Sequence, residues 1–339
     1  MRALRWHARG DVRLEDVPKP AAPGAGEVLL RVLLCGVCGT DLEEYRHGPI
    51  TIPAGAPHPL SGRQAPLIMG HEVVAEVAAT GPGVLGLGVG DRVVPDGLLT
   101  CGDCEGCRRG ARLHCARSAF IGLHRDGGLA EFMTVPAAMC VPVPAGVPDR
   151  LAVLTEPLAV SVRAVRRAAP AASGRVLVIG AGTIGQCVLQ LTLGSGARVS
   201  LLDPDEGRVA ATLPHAPGVT AGADGLYDLV IDCAGSESSL VTALRSVVPG
   251  GRVALVGAAP YAPSFSPHDL LVREITLVTT FSHDIDEDTR PAVALLAEGT
   301  LRLDHVVTDV LPLGEVVDRV FRAPSATGFK TVVDPWSPR

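Results

Sequence analysis

The chain has 339 residues, 47% hydrophobic and 19% charged, so a folded globular protein of about two domains is expected. A net charge of −6 disfavours a nucleic-acid surface, because phosphate binding needs clustered Lys and Arg. No window reaches the ~18 apolar residues of a membrane span, and Met1 to Gly10 has no continuous apolar core of the secretory type, so a cytoplasmic protein is expected.

Residues 1–150 read as a β-rich, loop-rich unit. The apolar runs Val28 to Leu34 and Val73 to Val77 are short and bounded by Gly and Pro, and Arg92 to Val94 resumes a strand after the turn at Gly90-Asp91. The texture changes near residue 151. Glu156 to Ala169 has helical spacing, and Arg175 to Ile179 is an apolar run of buried-strand type. A helix is predicted from Ile184 to about Leu193, and strands at Arg198 to Leu202, Leu229 to Asp232, Arg252 to Val256 and Ile275 to Thr280. Strands alternating with helices imply a parallel sheet over 151–289. Residues 290–339, with a helix at Ala292 to Glu298 and strand-like Val306-Val307 and Lys330 to Val333, are expected to return to the first unit.

Four of the nine cysteines, Cys101, Cys104, Cys107 and Cys115, form C-x2-C-x2-C-x7-C. Four thiolates in one short loop can surround a tetrahedral Zn²⁺ and leave no position open for substrate, so this site is read as structural. The competing readings are a pair of disulfides, which a cytoplasmic setting disfavours, and a zinc ribbon for nucleic acid, which Asp103, Glu105 and the acidic chain disfavour.

Gly180-Ala181-Gly182-Thr183-Ile184-Gly185 is a G-x-G-x-x-G fingerprint placed between the strand at Arg175 to Ile179 and a helix, as dinucleotide binding requires. Gly180 permits the tight turn, Gly182 the approach of the pyrophosphate, and Gly185 close packing of helix on strand. Asp203 follows the next strand, 18 residues beyond Gly185. An acid there accepts the ribose hydroxyls and repels the extra phosphate of NADP, so NAD is favoured; Arg208 keeps NADP as the alternative.

Cys38, His71 and Glu156 are each weak signals alone, since a lone Cys or His is more often structural. Together they offer thiolate, imidazole and carboxylate, and three protein ligands on Zn²⁺ leave a fourth position for an alcohol oxygen.

With these residues in view, the chain resembles the zinc-containing medium-chain dehydrogenase/reductase superfamily over essentially its whole length. The motifs are Cys38-Gly39-Thr40-Asp41, Gly70-His71-Glu72, the four-cysteine lobe, Glu156-Pro157-Leu158-Ala159 and the glycine fingerprint. The stretch from Gly48 to Gly70-His71-Glu72, with His58-Pro59-Leu60-Ser61-Gly62, is similar to the (R,R)-butanediol dehydrogenase branch. The resemblance implies an α/β protein: a GroES-like catalytic domain interrupted by a doubly wound Rossmann domain, with the active site in the cleft between them. It implies Cys38, His71 and Glu156 as ligands of a catalytic zinc, two zinc ions per chain, and Glu72 as an alternate ligand. It further implies Thr40 as the group that passes on the substrate proton, Asp41 as the residue that orients His71, and a homodimer or homotetramer.

One departure matters. Many relatives carry a His five residues after the ligand Cys, and here that position is Glu43. Glu43 is either a solvated residue, with water carrying the proton, or a group that binds a substrate hydroxyl or amine or joins the relay. Cys35, Cys140, Cys187 and Cys233 are read as small core residues, and His58, His114, His124, His215, His268, His283 and His305 as having no ligand-spaced partners.

The function expected is an NAD-linked dehydrogenase of a secondary alcohol, polyol or cyclitol, acting on a small-molecule alcohol or ketone, with the loop from His47 to Pro66 as a substrate cover. The alternatives are a sugar or amino-alcohol dehydrogenase of a biosynthetic pathway and a noncatalytic zinc protein that senses NADH.

Overall fold

A computed structural model describes residues 1–257, 265–323 and 328–338. The chain divides into two compact units. Residues 1–156, 283–297 and 307–339 form one, and residues 157–282 and 298–306 the other. Residues 151–156 and 283–289, read from sequence as part of the nucleotide-binding stretch, therefore pack with the first unit.

In the first unit the apolar runs make a mainly antiparallel sheet, with one parallel pairing, Val307–Pro312 beside Lys330–Asp334. Among the described residues, the main sheet runs Cys140–Pro142, Arg92–Pro95, Glu72–Thr80, Glu27–Gly36, Lys330–Asp334, Val307–Pro312, with Phe132–Pro136 also paired to Glu27–Gly36. The C-terminal strand returns as expected: Val332 lies opposite Gly36 and Val333 opposite Cys35. Gly36 in turn faces Glu72 across the sheet. This register gathers the ends of three strands around Gly36. Leu4, Trp6, Leu30, Val73, Val93, Met133 and Phe321 fill the core beneath.

The second unit carries a six-stranded sheet among the described residues, parallel in every pairing. Its order is Thr220–Ala221, Arg198–Leu202, Arg175–Ile179, Tyr227–Asp232, Val247–Leu255, Thr276–Thr279. Numbered by sequence this is 3-2-1-4-5-6, the doubly wound nucleotide-binding order. Apolar clusters on both faces bury it, one around Val178, Leu189 and Leu201 and one around Leu177, Val230 and Leu244.

Observed bounds differ from the expected ones by a few residues, with helices at Thr155–Ala168, Thr183–Gly194 and Arg290–Glu298. The helix Gly39–His47 has no sequence-level signal. Its residues are mostly polar, so it lacks the apolar stripe by which a surface helix is read. No described helix is long and apolar enough to cross a membrane.

Candidate metal and nucleotide sites

Cys38 sits at the extended N-cap of the helix Gly39–His47, and its backbone N–H donates to Asp41 Oδ2 at 2.9 Å. This turn fixes the thiol while Asp41, fully buried, reaches across to His71: Oδ1 lies 3.9 Å from His71 Nδ1. Ligand atoms of Cys38, His71 and Glu72 all lie within 4.8 Å of one another. Three buried polar atoms of this group, Asp41 Oδ1, His71 Nδ1 and Glu72 Oε2, have no hydrogen-bond partner in the protein. Burial opposes charge on His71, but Cys38, Asp41 and Glu156 outweigh it and raise its pKa well above the imidazole range. Unpartnered carboxylate oxygens and an imidazole nitrogen beside the Cys38 sulfur offer the lone pairs that a divalent cation satisfies, so the residues fit a zinc ion. Exposed Thr40 places Oγ1 3.6 Å from Cys38 Sγ. Glu43 is about one-third exposed and lies 3.8 Å from His47 Nε2, one helical turn on.

Glu156, expected as the third ligand, is not one of the three clustered groups. It stands in the first turn of Thr155–Ala168, where a carboxylate complements the helix dipole. Its Oε1 lies 3.3 Å from Nε2 of His283. Sequence reading set His283 aside. In the fold it is 2% exposed, with Nδ1 3.1 Å from both Asp96 Oδ2 and Thr289 Oγ1. Burial lowers the affinity of His283 for a proton, yet its bonds to Asp96 and Glu156 prevail and push its pKa up to about 10. Two more residues were missed. Lys330 Nζ donates to Glu72 Oε1 at 2.6 Å and to Val37 O at 3.1 Å. Glu44, fully buried, accepts the backbone N–H groups of Ile50, Thr51 and Ile52 and so pins the start of the loop that precedes Leu67. No sequence signal marks either, because each acts only through its tertiary partners.

In the lobe, Cys101, Cys104, Cys107 and Cys115 also converge within 4.8 Å. Four sulfurs about 2.3 Å from one centre at tetrahedral angles stand about 3.8 Å apart. The observed Sγ separations are 3.5 Å for Cys104–Cys107, 3.5 Å for Cys115–Cys101 and 3.9 Å for Cys101–Cys107. All four are free thiols, so the disulfide alternative does not hold in this structure. Backbone amides of Cys107 and Ala116 hold the Cys104 pKa down to about 6, which supplies thiolate at neutral pH.

In the second unit Gly180 takes φ +99°, open to glycine and strained for other residues. A Cβ on Gly185 would stand 1.8 Å from Gly180 O, so helix and strand meet there without room for a side chain. At Gly182 a Cβ would meet no protein atom within 4 Å, leaving space over the helix N-terminus. Thr183 opens that helix and Ile184 packs into the core beneath it. Asp203 braces the turn: Oδ2 accepts Ala181 N–H at 2.7 Å and Oδ1 accepts Asp205 N–H at 2.8 Å. Arg208 Nε lies 3.6 Å from Asp205 Oδ2.

Comparison with known proteins agrees with this geometry. Residues 24–145 match the alcohol dehydrogenase GroES-like domain, and residues 217–298 match the zinc-binding dehydrogenase domain. The (R,R)-butanediol dehydrogenase of Saccharomyces cerevisiae is 31% identical, across 90% of this chain and 88% of that protein. The chain belongs to the zinc-containing medium-chain dehydrogenase/reductase superfamily. This dehydrogenase is also 33% identical to the L-threonine 3-dehydrogenase of Pyrococcus furiosus, across 86% of this chain and 85% of that one. The crystal structure of 2R,3R-butanediol dehydrogenase from Bacillus subtilis superposes with a TM-score of 0.89 at 28% identity, covering 98% and 99% of the two chains. The dehydrogenase is thus an oxidoreductase of a zinc- and nicotinamide-using family, with a GroES-like domain and a Rossmann-like parallel-sheet domain.

Proposed function

We propose that this dehydrogenase transfers a hydride between a secondary alcohol, polyol or cyclitol and NAD. The observation that carries the reading is the convergence of Cys38, His71 and Glu72, with Glu156 close enough to act on His71 electrostatically, in a chain that also carries the complete fingerprint. Cys38, His71 and Glu156 hold the reactive zinc, Glu72 is the alternate carboxylate, and the four-cysteine lobe holds a second zinc ion. Zinc supplies Lewis acidity toward an alcohol oxygen, and nicotinamide supplies the hydride acceptor. Asp41 holds the Cys38 turn and orients His71. Thr40, exposed beside Cys38, takes the substrate proton from the oxygen and passes it outward. Glu43 is paired with His47 and solvated, so water completes the path. Gly182 and Thr183 at the helix N-terminus receive the pyrophosphate, while Gly180 makes the turn, Gly185 lets helix and strand pack and Ile184 anchors the helix in the core, and Asp203 supports NAD over NADP. Arg208 is directed toward Asp205, which leaves less reason to assign it a second phosphate. A cytoplasmic setting, which keeps thiols reduced, suits the five cysteines assigned to zinc.

The full donor set and the dehydrogenase relatives weigh against a noncatalytic NADH sensor. A sugar or amino-alcohol substrate stays open to test, because the relatives named above include both a diol and a hydroxy-amino-acid dehydrogenase. The test is to follow reduced nicotinamide while the zinc-loaded protein meets NAD or NADP and a panel of butane-2,3-diol, sorbitol, threonine, glucose and cyclitols with and without amino groups. Turnover of one secondary alcohol class with NAD is the expected result. Silence across the panel in protein that holds zinc and binds NADH would overturn the alcohol assignment.

A homo-oligomer is proposed with it. Among the described residues Thr276–Thr279 ends the Rossmann sheet with a partner strand on one side, it contains Leu277 at 36% exposure, and it follows a helix that ends in Leu271 at 74% and Val272 at 63%. An apolar sheet edge of this kind is a template for a second copy. Light scattering should give at least a dimer mass for the wild type, and a Leu271→Asp/Val272→Asp variant should shift toward monomer. A monomeric wild type would remove the proposal.

A further inference from the structure

We propose that His283 is the positioning residue for the Glu156 carboxylate. The inference rests on the reading of Glu156 as a zinc ligand and goes beyond it. His283, Asp96, Thr289 and Glu156 all belong to the first unit. The imidazole is buried between two carboxylates, Asp96 Oδ2 at 3.1 Å from Nδ1 and Glu156 Oε1 at 3.3 Å from Nε2. A carboxylate oxygen thus faces each ring nitrogen, and Thr289 Oγ1 also lies 3.1 Å from Nδ1. Asp96 is itself held, accepting Leu98 N–H at 3.0 Å and the Thr289 hydroxyl at 2.8 Å. The ring therefore cannot turn without breaking contacts on both sides.

This arrangement has one consequence for Glu156. A ring nitrogen facing Oε1 holds the plane of the carboxylate and presents its other oxygen to a cation. Hydrogen bonds to ligating carboxylates act in this way, and their loss typically changes metal affinity by about 10–100-fold. The brace reaches the four-cysteine lobe as well. Asp96 precedes the strand Leu98–Leu99 that leads into Cys101, and Arg112 of the lobe lies 3.9 Å from Asp284, next to His283.

Asparagine and glutamine divide the two halves of the ring. An Asn amide reaches the place of Nδ1 and keeps Asp96 but loses Glu156, whereas a Gln amide reaches the place of Nε2 and keeps Glu156. His283→Asn, His283→Gln, Asp96→Asn and Glu156→Gln would be prepared as zinc holoenzymes and as cobalt(II)-substituted proteins. The readouts are the cobalt absorption spectrum and the rate of metal release to a chromophoric chelator. His283→Asn should shift the cobalt bands and weaken the metal held by Cys38, His71 and Glu156 by about 10–100-fold while the lobe metal is kept, and His283→Gln should stay near wild type. Asp96→Asn, which keeps an acceptor for Leu98 N–H, should move the bands in the same direction as His283→Asn. A purely structural role would affect His283→Asn and His283→Gln alike, so equal shifts overturn the proposal. Unmoved bands in His283→Asn, or in Asp96→Asn, also overturn it. Unmoved bands in Glu156→Gln overturn the ligand reading and the inference together, whereas a Glu156→Gln shift with a silent His283→Asn overturns the inference alone.

Discussion

On the proposed assignment of one zinc ion to each site, Cys38→Ala is expected to lower kcat/KM by about a thousandfold and to reduce bound zinc from two ions per chain to one. Lewis-acid assistance is worth several kcal/mol of transition-state stabilisation, and each 1.36 kcal/mol is tenfold in rate, so about 4 kcal/mol is about a thousandfold. Cys38 is the donor whose loss should cost most. It supplies the sulfur of the Cys38, His71, Glu72 cluster, and its N-cap turn is bonded to Asp41, which faces His71. Alanine keeps the backbone N–H that Asp41 accepts, so the helix Gly39–His47 should persist and the defect should be confined to the metal. The lobe cysteines share no residue with this cluster, so the second ion should stay. Elemental analysis and steady-state kinetics on the same preparation decide the matter. A variant that keeps both ions and near-normal turnover would take Cys38 out of the metal centre.

What could be read in advance depended on how local each feature is. The fingerprint and the strand before it lie within eleven residues, Arg175 to Gly185, and the lobe cysteines lie within fifteen, so spacing alone was enough to mark them. The parallel sheet was legible because buried strands are continuous apolar runs. The Val247–Leu255 strand begins five residues before the expected Arg252, because Val247 pairs with Tyr227 ahead of a register shift in the ladder. The supports of the metal site follow a different rule. His283 meets Asp96 across 187 positions, and Lys330 meets Glu72 across 258. A lone buried His and a Lys near the end of the chain carry no spacing pattern, and only the sheet register that returns Lys330–Asp334 beside Glu27–Gly36 brings such groups together. Glu72 is named beside His71 by the family resemblance, yet that its carboxylate lies nearer Cys38 and His71 than that of Glu156 is a matter of side-chain direction that no one-dimensional pattern encodes.

Lys330→Met is expected to destabilise the first unit by about 3–5 kcal/mol, the usual cost of removing one partner from a buried ion pair. The side chains of Lys330 and Glu72 are 5% and 1% exposed and 2.6 Å apart, so water cannot replace the lost ammonium. Glu72 has little room to turn away, since its Oε2 packs so closely on Gly36 that a Cβ there would stand 2.0 Å from it. Burial already raises the Glu72 pKa against the pull of Lys330, and without Lys330 it should rise further. A carboxylate whose folded pKa exceeds its unfolded value holds its proton more tightly when folded, so stability is greatest below the unfolded pKa and falls as pH rises through the folded one. The deficit of Lys330→Met should therefore be small at mildly acidic pH and grow toward neutrality, as read from urea midpoints at the two pH values. Lys330→Met/Glu72→Gln leaves no charge unpaired and should recover most of the loss at neutral pH. If the double variant is no more stable than the single one, the cost lies in the packing of the lysine chain and not in a stranded carboxylate.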